Sequence, residues 1–408
     1  MEEWKEYKIG DVCRIKHGFA FKGIYFVDNQ QKYVCVTPGN FALKGGFKND
    51  KPKYYNGPIP EDYVLQKDDL VVTMTDLSKN GDTLGYSALI PYDEHYTFLH
   101  NQRIGLIEDI SNEIDKHFLY WVMRTYDYQR YIVGHCSGST VKHTSPSGIG
   151  SYIFRCPDME TQREISSILD NLDDKIEVNR KINENLEQQA QALFKSWFVD
   201  FEPFKNGEFV ESELRMIPKG WRVGSIYDYI DVVYGAPYKS SLFNDKKEGL
   251  PLIRIRDLKT NAPQFYTPEI LPNTEFVKAG DIVAGMDAEF IPYVWLGEKG
   301  VLNQRCCKFM GKNEAISNYY ILFLIKPELE YVQSYKTGTT VSHLGKSDID
   351  RFRFVTPPLD VVKSFSDLVD GMLKELVNRA NESRRLAELR DTLLPKLMSG
   401  ELKVNEIA

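Results

Sequence analysis

Two stretches of the chain place apolar side chains in alternating steps of four and three residues, which is typical of a helix that packs along another helix. The seam positions of the first stretch are Ile165, Leu169, Leu172, Ile176, Asn179, Asn183, Leu186, Ala190, Leu193 and Trp197. Those of the second stretch, 200 residues later, are Phe365, Val369, Met372, Leu376, Arg379, Ser383, Leu386, Arg390, Leu393 and Leu397. Because both seams have the same heptad phase, we predict that the two helices bury each other's seam in a coiled coil.

Polar residues interrupt both seams near the middle of each helix. Asn179 and Asn183 lie in the first seam, and Arg379 and Ser383 lie in the second. These positions would face each other in a parallel or an antiparallel pair, and a polar layer of this kind costs stability and fixes the register. The heptads alone leave the orientation open. The alternative, two unrelated amphipathic surface helices, does not explain the repeated phase.

The ends of both helices carry recognisable signals. Asp158 and Asp360 closely follow prolines, so we expect them to be N-caps, and Pro395 with Gly400 should end the second helix. A helix from residue 165 to residue 197 would be roughly 48 Å long at the helical rise of ~1.5 Å per residue. One turn of DNA measures about 34–36 Å. This length suits a protein that reads two short DNA sites separated by bases that it ignores.

The remaining sequence forms two blocks, residues 1–157 and 206–357, with the pattern of mixed α/β domains. Short runs rich in β-branched and aromatic residues alternate with Gly, Pro and Asn turns, and longer helical stretches follow them. The predicted strands are 33–36, 69–74, 251–255 and 281–286, and the predicted helices are near 114–132 and 316–334. The predicted fold class is therefore α+β: two mixed α/β domains joined by two long helical segments, residues 158–205 and 358–408.

Several phrases occur once in each block and in the same order, which indicates a tandem duplication. GFAFKGIYF at 18–26 matches GAPYKSSLF at 235–243, and KDDLVVTMTD at 67–76 matches AGDIVAGMDA at 279–288. HNQR at 100–103 matches LNQR at 302–305, and GSTVKH at 138–143 matches GTTVSH at 338–343. The offset shrinks along the chain, so the frame is repeated while the interior between Gly39 and Ser137 has diverged.

Composition narrows the class of protein only slightly. The 408 residues are 42% hydrophobic and 12% aromatic, which is typical of a globular protein. No apolar run approaches the ~18 residues of a membrane span, and the charged first ten residues do not resemble a secretion signal. The six cysteines lack C-x-x-C spacing, so we expect reduced thiols, no zinc site and a cytoplasmic location.

The net charge of −7 does not by itself suggest a nucleic-acid partner. The excess of acidic side chains is concentrated in residues 158–205, while the two blocks are close to neutral. A neutral block can still present a basic face, so the charge distribution leaves DNA binding open.

The repeated phrases contain candidate DNA-binding residues. Lys22 and Lys239 lie in a loop of glycine and aromatic residues where each could hold a phosphate; a surface lysine beside a structural turn explains them equally well. Arg103 and Arg305 of the paired NQR phrases could reach guanine or a phosphate. However, a structural role of these phrases is favoured, with Asn101, Gln102 and Gln304 satisfying buried backbone groups.

The repeated Ser/Thr-rich loops are the preferred DNA-facing elements among the shared phrases. They offer hydroxyl groups, an accessible backbone and a histidine, and a capping or turn role is the alternative. Their candidate residues are Ser139, Thr140, Lys142, His143, Thr339, Thr340 and His343. Arg254 and Arg256, on the face-alternating run PLIRIRD, lack a basic counterpart in the first block and are candidates for a base contact specific to the second half-site.

Some sequence patterns resemble catalytic sites, but their geometry or spacing does not fit such sites. The Pro-Asp at 157–158 followed by Asp-Asp-Lys at 173–175 resembles a metal-dependent nuclease, but these carboxylates fall on a heptad helix and cannot converge on one metal. The loop GTTVSHLGKS misses the spacing of a phosphate loop, and no adenine-methylation phrase is present. The histidines form no i, i+4 pair, so we predict no metal site and no catalytic residues in this chain.

The helices and linkers resemble the specificity subunit of type I restriction–modification systems. The resemblance is carried by EISSILDNLDDKIEVNRKINENLEQQAQALFKSWFVDFEPF at 164–204, by GEFVESELRMIPKGW at 207–221 and by LRDTLLPKLMSGEL at 389–402. It covers essentially the whole chain, and in the blocks only the framework matches. The second helix departs from the pattern because it lacks the Gln-Arg of ETQREI.

This resemblance implies two target-recognition domains, 1–157 and 206–357, spaced by an antiparallel coiled coil and related by a pseudo-twofold internal repeat. It implies double-stranded DNA with a split, asymmetric site as the ligand. It also implies two adenine methyltransferase subunits as partners, which restriction subunits can join. S-adenosylmethionine is expected in those methyltransferase subunits, and no cofactor is expected on this chain.

Two other functions compete with that of a DNA specificity subunit. A duplicated scaffold whose blocks bind protein or glycan is the alternative from another class. A self-contained nuclease or methyltransferase is disfavoured by the missing motifs.

Overall fold

The computed structural model describes residues 4–78, 80–336 and 342–406 and contains two compact units. Unit 1 consists of Met1–Asp174 with Leu386–Ala408, and unit 2 consists of Lys175–Arg385. Each unit therefore contains one globular block and a part of both long helices. The chain-order boundaries predicted from the sequence treat the helices as separate segments, whereas compactness divides each helix between the two units.

Unit 1 contains twelve strands and four short helices within its described residues, followed by the first long helix. The strands are β1 (Lys5–Lys8), β2 (Arg14–His17), β3 (Phe26–Val27), β4 (Tyr33–Val36), β5 (Tyr54–Tyr55), β6 (Leu70–Thr73), β7 (Thr75–Asp76), β8 (Ser87–Leu89), β9 (Thr97–His100), β10 (Ile104–Glu108), β11 (Lys142–His143) and β12 (Ile153–Cys156). The helices are α1 (Ile9–Val12), α2 (Lys116–Val122), α3 (Tyr126–Gly134), α4 (Pro146–Gly150) and α5 (Met159–Phe194), and α5 continues into unit 2.

Unit 2 contains the corresponding elements. Its strands are β13 (Phe209–Val210), β14 (Ile217–Pro218), β15 (Arg222–Ser225), β16 (Ile230–Tyr234), β17 (Leu250–Ile253), β18 (Phe265–Thr267), β19 (Phe276–Val277), β20 (Ile282–Gly285), β21 (Pro292–Val294), β22 (Gly300–Leu302), β23 (Cys306–Gly311) and β24 (Arg353–Thr356). Its helices are α6 (Ile255–Leu258), α7 (Asn318–Lys336), α8 (Lys346–Ile349) and α9 (Leu359–Ser399), and α9 continues into unit 1.

The strand orders confirm the duplication. The sheet β2-β10-β6-β8 of unit 1 corresponds to β16-β23-β20-β21 of unit 2. The second sheets, β3-β5-β4-β9 and β18-β17-β22-β19, each contain one parallel pair, β4 with β9 and β17 with β22. The fully buried strands β6 and β20 lie inside the first sheets, as expected for continuous apolar runs.

Two sequence-based elements were wrong, and a third was confirmed. The helix expected near 114–132 is broken into α2 and α3, because Thr125 caps a new helix by accepting a hydrogen bond from the Tyr128 N–H. The strand expected over 251–255 ends at Ile253, and a short helix follows. The helix expected near 316–334 is confirmed as α7, which continues through Pro327.

The ends of α5 and α9 differ in their capping. Asp158 is an N-cap as predicted, since its carboxylate accepts hydrogen bonds from the Glu160 and Thr161 N–H groups at 2.9 and 3.1 Å. These bonds stabilise the charged form and lower the pKa of Asp158. Asp360 lies inside the first turn of α9 and is not its cap. Pro395 lies within α9 and does not end it; the left-handed Gly400, with φ of 74°, follows its last residue.

The coiled-coil seam is buried or half-buried along both helices, as predicted. In unit 1, Ile165 and Leu169 of α5 share one apolar core with Leu394 and Leu397 of α9. In unit 2, the end of α5 shares a core with the start of α9, where the Phe194 and Phe365 rings lie 6.0 Å apart. The start of one helix meets the end of the other in each unit, so the helices run antiparallel there.

The predicted polar layer is present in unit 2. The fully buried Asn179 donates to Glu382 at 2.8 Å and accepts from Arg379 at 3.0 Å. Asn183 donates to the carbonyl oxygen of Leu376 at 3.3 Å. These directional bonds pair residue 179 with 379–383 and residue 183 with 376, which fixes the antiparallel register.

Candidate nucleic-acid interface

The repeated glycines place two repeated phrases side by side in each unit. A Cβ atom on Gly18 would lie 2.1 Å from the backbone oxygen of Asn101, and one on Gly235 would lie 2.1 Å from that of Asn303. Only glycine permits such a close approach of two backbones. The first phrase of each block is therefore held directly against the NQR phrase.

Backbone hydrogen bonds repeat the same arrangement in both units. The Phe19 N–H donates to the His100 oxygen at 2.9 Å, and the Ala236 N–H donates to the Leu302 oxygen at 2.9 Å. The Asn101 side chain accepts from the Arg103 N–H at 3.1 Å, and its counterpart Asn303 accepts from the Arg305 N–H at 3.2 Å.

The asparagine of each NQR phrase thus has the structural role favoured from the sequence. The side chains of Gln102 and Gln304 are exposed, so they do not satisfy buried backbone groups as expected. Only their main-chain N–H groups take part in the turn, donating to the oxygens of Phe19 and Ala236.

A repeated methionine connects the NQR phrase to the Ser/Thr-rich loop. The Met74 N–H donates to the Arg103 oxygen at 2.9 Å, while the Met74 oxygen accepts from the Thr144 N–H at 3.0 Å. In unit 2, Met286 makes the equivalent bonds with Arg305 and Leu344 at 2.8 and 2.7 Å. Three phrases that contain candidate DNA-binding residues therefore meet in unit 1, and in unit 2 the described end of the third phrase, residues 342–343, occupies the equivalent place.

Lys22 and Lys239 occupy equivalent positions at the edge of this region. Each precedes a single 3-10 turn and has nearly the same backbone conformation, with φ of −71° and −72°. Both side chains are exposed. Among the described residues, neither ammonium group has a hydrogen-bonding or ionic partner, so both are available to an anion.

The Ser/Thr-rich loop of unit 1 is a tight turn closed by paired backbone hydrogen bonds. Ser137 and His143 exchange two bonds of 2.9 Å, and Gly138 has φ of 90°. Ser139 and Thr140 are exposed at the tip of the turn. Thr339 and Thr340, their predicted counterparts in unit 2, lie outside the described residues.

Lys142 contacts other residues of unit 1, so it is a weaker candidate for DNA binding than Ser139 and Thr140. Its Nζ atom lies 3.8 Å from the thiol sulfur of Cys136, and its side chain is half-buried. The strand pairing of Lys142 with Asp76 fixes the base of this side chain.

The paired arginines differ between the units. Arg103 is exposed and has no side-chain partner among the residues described by the structure. Arg305 donates from Nη1 to Oδ2 of Asp287 at 2.5 Å, and the other carboxylate oxygen of Asp287 accepts from Nδ1 of His343 at 2.7 Å. At the matching place in unit 1, His143 meets the hydroxyl group of Thr75 at 3.2 Å.

Arg254 is not placed as the sequence suggested. The residue caps α6, and its guanidinium stacks 4.5 Å from the centre of the Phe265 ring while donating to Gln264 at 3.3 Å. Its side chain is only 16% exposed, so Arg254 stabilises unit 2 and is not free to contact a base. Arg256, in contrast, is exposed on α6 and remains a candidate.

A buried histidine beside the interface has a structural role. His100 lies immediately before the first NQR phrase, is fully buried, and lies 2.8 Å through Nε2 from the Ile104 oxygen. Burial lowers the pKa of His100 to about 4, so the ring stays neutral near pH 7 and donates this bond.

The carboxylates that imitate a nuclease site have other partners. Asp158 caps α5, and Asp173 accepts from Arg124 and Arg390 at 2.5 Å. Within residues 4–78, 80–336 and 342–406, no cluster of three or more His, Cys, Asp or Glu side chains is arranged to hold a metal ion. The helices described by the structure include none long and apolar enough to span a membrane.

Asp287 and Thr75 also lie in this region, although no sequence pattern singles them out. Both follow the repeated methionine directly, so the alignment of KDDLVVTMTD with AGDIVAGMDA already placed them at equivalent positions. Their importance depends on the arginine and histidine that tertiary structure brings beside them, which the alignment does not reveal.

The fold and this region define a class of protein: an internally duplicated α/β protein whose two copies present the same loop frame with different side chains. A family model, type I restriction modification DNA specificity domain, matches residues 1–188 and 218–382. The chain therefore belongs to this family.

Individual relatives agree with the family match. The specificity subunit of the type I restriction enzyme MjaIX from Methanocaldococcus jannaschii is 30% identical over 315 residues, covering 71% of this chain and 70% of that protein. The HindI specificity subunit from Haemophilus influenzae is 25% identical over 480 residues, and the alignment covers 98% of this chain and 100% of that protein.

A solved structure shows the same fold. The crystal structure of a type I restriction–modification system S subunit from M. genitalium aligns with a TM-score of 0.53 and 15% identity. The alignment covers 97% of this chain and 96% of that chain.

Proposed function

We propose that this chain is the part of a type I restriction–modification complex that selects the DNA sequence. Residues 1–157 read one half of a bipartite, asymmetric site and residues 206–357 read the other. The observation that carries this proposal is the repeated loop frame, which presents exposed lysines at equivalent positions and different side chains at the positions between them. A shared frame suits phosphate contacts, and differing side chains suit base contacts.

The proposal assigns sequence-independent contacts to Lys22 and Lys239. Their ammonium groups are exposed and unpartnered among the described residues, and equivalent backbone turns hold them. Each lysine that neutralises a phosphate releases a counterion, so its loss weakens binding to all sequences alike. Base contacts are assigned to the Ser/Thr-rich loops, to Arg305 and to Arg256.

The chain would contribute recognition to the complex and leave the chemistry to its partners. Two adenine methyltransferase subunits, carrying S-adenosylmethionine, would dock on the paired helices, and restriction subunits can join them. The heptad seams of α5 and α9 support this division of labour, because their function is to hold the two helices in one register.

Band-shift measurements on specific and random duplexes, with and without the methyltransferase subunits, test the proposal. We expect sequence-selective binding whose affinity falls with salt. The Lys22→Ala and Lys239→Ala variants should each lower affinity for every duplex and reduce the salt slope by about one unit. A matched control is Lys363→Ala, since Lys363 lies on α9 and pairs with Asp367 at 2.7 Å.

The results also separate the alternative functions. Salt-independent binding to a protein partner, without sequence selection on DNA, would instead support a duplicated interaction scaffold. Methyl transfer by the purified chain supplied with S-adenosylmethionine alone would revive a self-contained enzyme.

A second experiment tests whether the helices set the number of unread base pairs. One heptad would be inserted in phase into both helices at positions that contact each other, after Asn183 in α5 and after Leu376 in α9. We expect the unread spacer to lengthen while both half-sites keep their sequences. A spacer of unchanged length would contradict this part of the proposal.

A further inference from the structure

The two units differ most clearly at one position of their shared loop frame. Thr75 follows Met74 in unit 1, and Asp287 follows Met286 in unit 2. Both residues pair through their backbones with the histidine of the Ser/Thr-rich loop, Thr75 with His143 and Asp287 with His343. This backbone pairing is therefore shared, and the side chain at the position changes from a hydroxyl to a carboxylate.

The carboxylate of Asp287 joins two side chains that come from different phrases. Its Oδ2 accepts from Arg305 Nη1 at 2.5 Å, and its Oδ1 accepts from His343 Nδ1 at 2.7 Å. Asp287 itself is only 17% exposed, whereas Arg305 and His343 are 58% and 56% exposed. A largely buried acid thus orients two side chains whose other faces are open to solvent.

The main chain on both sides of Asp287 fixes the carboxylate in place. The preceding Met286 N–H donates to the Arg305 oxygen at 2.8 Å, and the following Ala288 N–H donates to the Ser342 oxygen at 3.0 Å. Ala288 has φ of 61°, a left-handed conformation that turns the chain directly after the acid. The position of Asp287 is therefore set by the same segments whose side chains it binds.

An arginine tied to a carboxylate is better suited to a base than to a phosphate. The negative charge of Asp287 offsets the attraction of Arg305 for phosphate, which depends on net charge. Recognition of a base edge depends instead on orientation, and the guanidinium has five N–H donors in a rigid fork. With Nη1 directed at Asp287, the remaining donors of Arg305 stay available as a pair.

Guanine is the base whose major-groove edge fits this donor pair. It presents two acceptors, N7 and O6, and bidentate contact with arginine is the commonest specific interaction. His343 adds a second constraint, because its Nδ1 is engaged by the carboxylate at 2.7 Å and its Nε2 is left free for a second hydrogen bond. Unit 1 lacks this arrangement, since Arg103 has no acidic partner among the described residues.

We propose that Asp287 is a positioning residue that orients Arg305 to read a guanine in the second half-site. This inference rests on the proposed function, because it requires unit 2 to contact DNA bases. It predicts a specificity determinant that unit 1 does not share.

Selection from a randomised duplex library, using the full chain with its methyltransferase subunits, tests this assignment. The unaltered complex should select a guanine at one position of the second half-site. In Asp287→Asn, which keeps the shape and removes the charge, preference for that guanine should fall by about tenfold. Other positions and the whole first half-site should be unchanged. Asp287→Glu should restore part of the preference, and Arg305→Lys should lose it.

Replacing that guanine by 7-deazaguanine, which lacks the N7 acceptor, distinguishes positioning from a general structural role. The substitution should weaken binding of the unaltered complex by about tenfold and have little effect on Asp287→Asn. Glu289→Gln is the matched control, since Glu289 is an exposed neighbouring acid that bonds with Tyr293. This control should keep the guanine preference.

The failure of this inference is distinguishable from the failure of the proposed function. If the unaltered complex selects no sequence, the proposed function is wrong. If it selects both half-sites but Asp287→Asn lowers affinity for all sequences alike, or changes no preference, only the assignment of Asp287 is overturned. Equal melting curves of the variants exclude misfolding as the cause of a lost preference.

Discussion

Unit 1 and unit 2 both bury their parts of the long helices in an apolar core, but the contacts that supplement this core differ. In unit 1 an ionic cluster supplements the apolar core: the side chain of Arg124, only 3% exposed, pairs with Asp173 of α5, which also accepts from Arg390 of α9 at 2.5 Å. The Arg124 guanidinium lies 4.3 Å from the centre of the Trp121 ring. Charge-assisted bonds and stacking therefore add to the apolar packing that holds α5 and α9 against this block.

In unit 2 the attachment is aromatic. Phe365 of α9 lies 5.0 Å from the Phe198 ring and 6.3 Å from the Tyr320 ring, and Phe194 of α5 packs against Phe323 at 5.7 Å. These contacts are apolar and are weakened little by salt. A duplicated frame can therefore keep its backbone hydrogen bonds while the side-chain contacts between each copy and the long helices diverge.

The largest effect is expected where the aromatic attachment of unit 2 is removed. Phe365→Ala deletes a fully buried ring and should cost about 3–5 kcal/mol of unfolding free energy. Urea unfolding, followed together with amide hydrogen exchange, should show the loss in peptides of unit 2. Leu368→Ala, on the exposed face of the same helix, is the control and should cost far less.

The ionic attachment of unit 1 should be the next most sensitive. Asp173→Asn leaves two largely buried guanidinium groups without their shared carboxylate, which should cost about 3 kcal/mol. Asp367→Asn breaks the exposed pair with Lys363 and should cost no more than ~1 kcal/mol. Equal costs for these two variants in urea unfolding would mean that the buried pair does not hold the helices.

The repeated glycines offer a test in which the two units should behave alike. Gly18→Ala and Gly235→Ala each force a Cβ atom into a backbone oxygen, so each should cost about 1–3 kcal/mol. Gly23→Ala, where a Cβ meets no atom within 4 Å, is the matched control. A large cost in only one unit, measured by hydrogen exchange, would argue against a shared frame.

The smallest expected effect is a pH dependence confined to unit 1. His117 of α2 bonds with Asp170 of α5 at 2.7 Å, and this bond raises the pKa of His117. The charged groups around the ring are Asp170, Asp68, Asp115 and Lys116. A raised pKa means that the stabilisation is fully present below the ordinary value of about 6.5 and is lost as pH rises through the folded-state value.

We expect this loss to be at most ~1 kcal/mol, since the ring is a third exposed. Hydrogen exchange of unit 1 should speed up as pH rises through that range, after correction for the intrinsic rate, and His117→Gln should flatten the dependence. In unit 2 the matching residue is Tyr319, whose pKa burial raises. A pH dependence of equal size in unit 2 would show that His117 is not its source.

The long helices and the repeat were predictable from sequence because their signals are local and periodic. The heptad phase identified seam residues such as Leu169 and Leu376, which are buried, and located Asn179 in the polar layer. The recurrence of Gly18 and Gly235 indicated positions where a Cβ atom would collide with a backbone oxygen. Such features depend on spacing along one chain segment, which a sequence displays directly.

The predictions from sequence were wrong or incomplete where residues distant along the chain determine the local structure or the partner of a side chain. Arg254 was expected on a strand face, but the chain turns after Ile253 and Phe265 captures the guanidinium. Pro395 remains inside α9 instead of ending it. The partnership of Asp287 with Arg305 joins segments 18 residues apart, and no local pattern predicts it.

Exchange of residues 1–157 for the first block of another family member, followed by mapping of methyladenine in cells that contain the chain and its methyltransferase, tests the central claim most directly. The account predicts that one half-site changes to that of the donor while the other half-site stays intact. A methylated site that keeps both halves, or loses both at once, would contradict the claim that each block reads its own half.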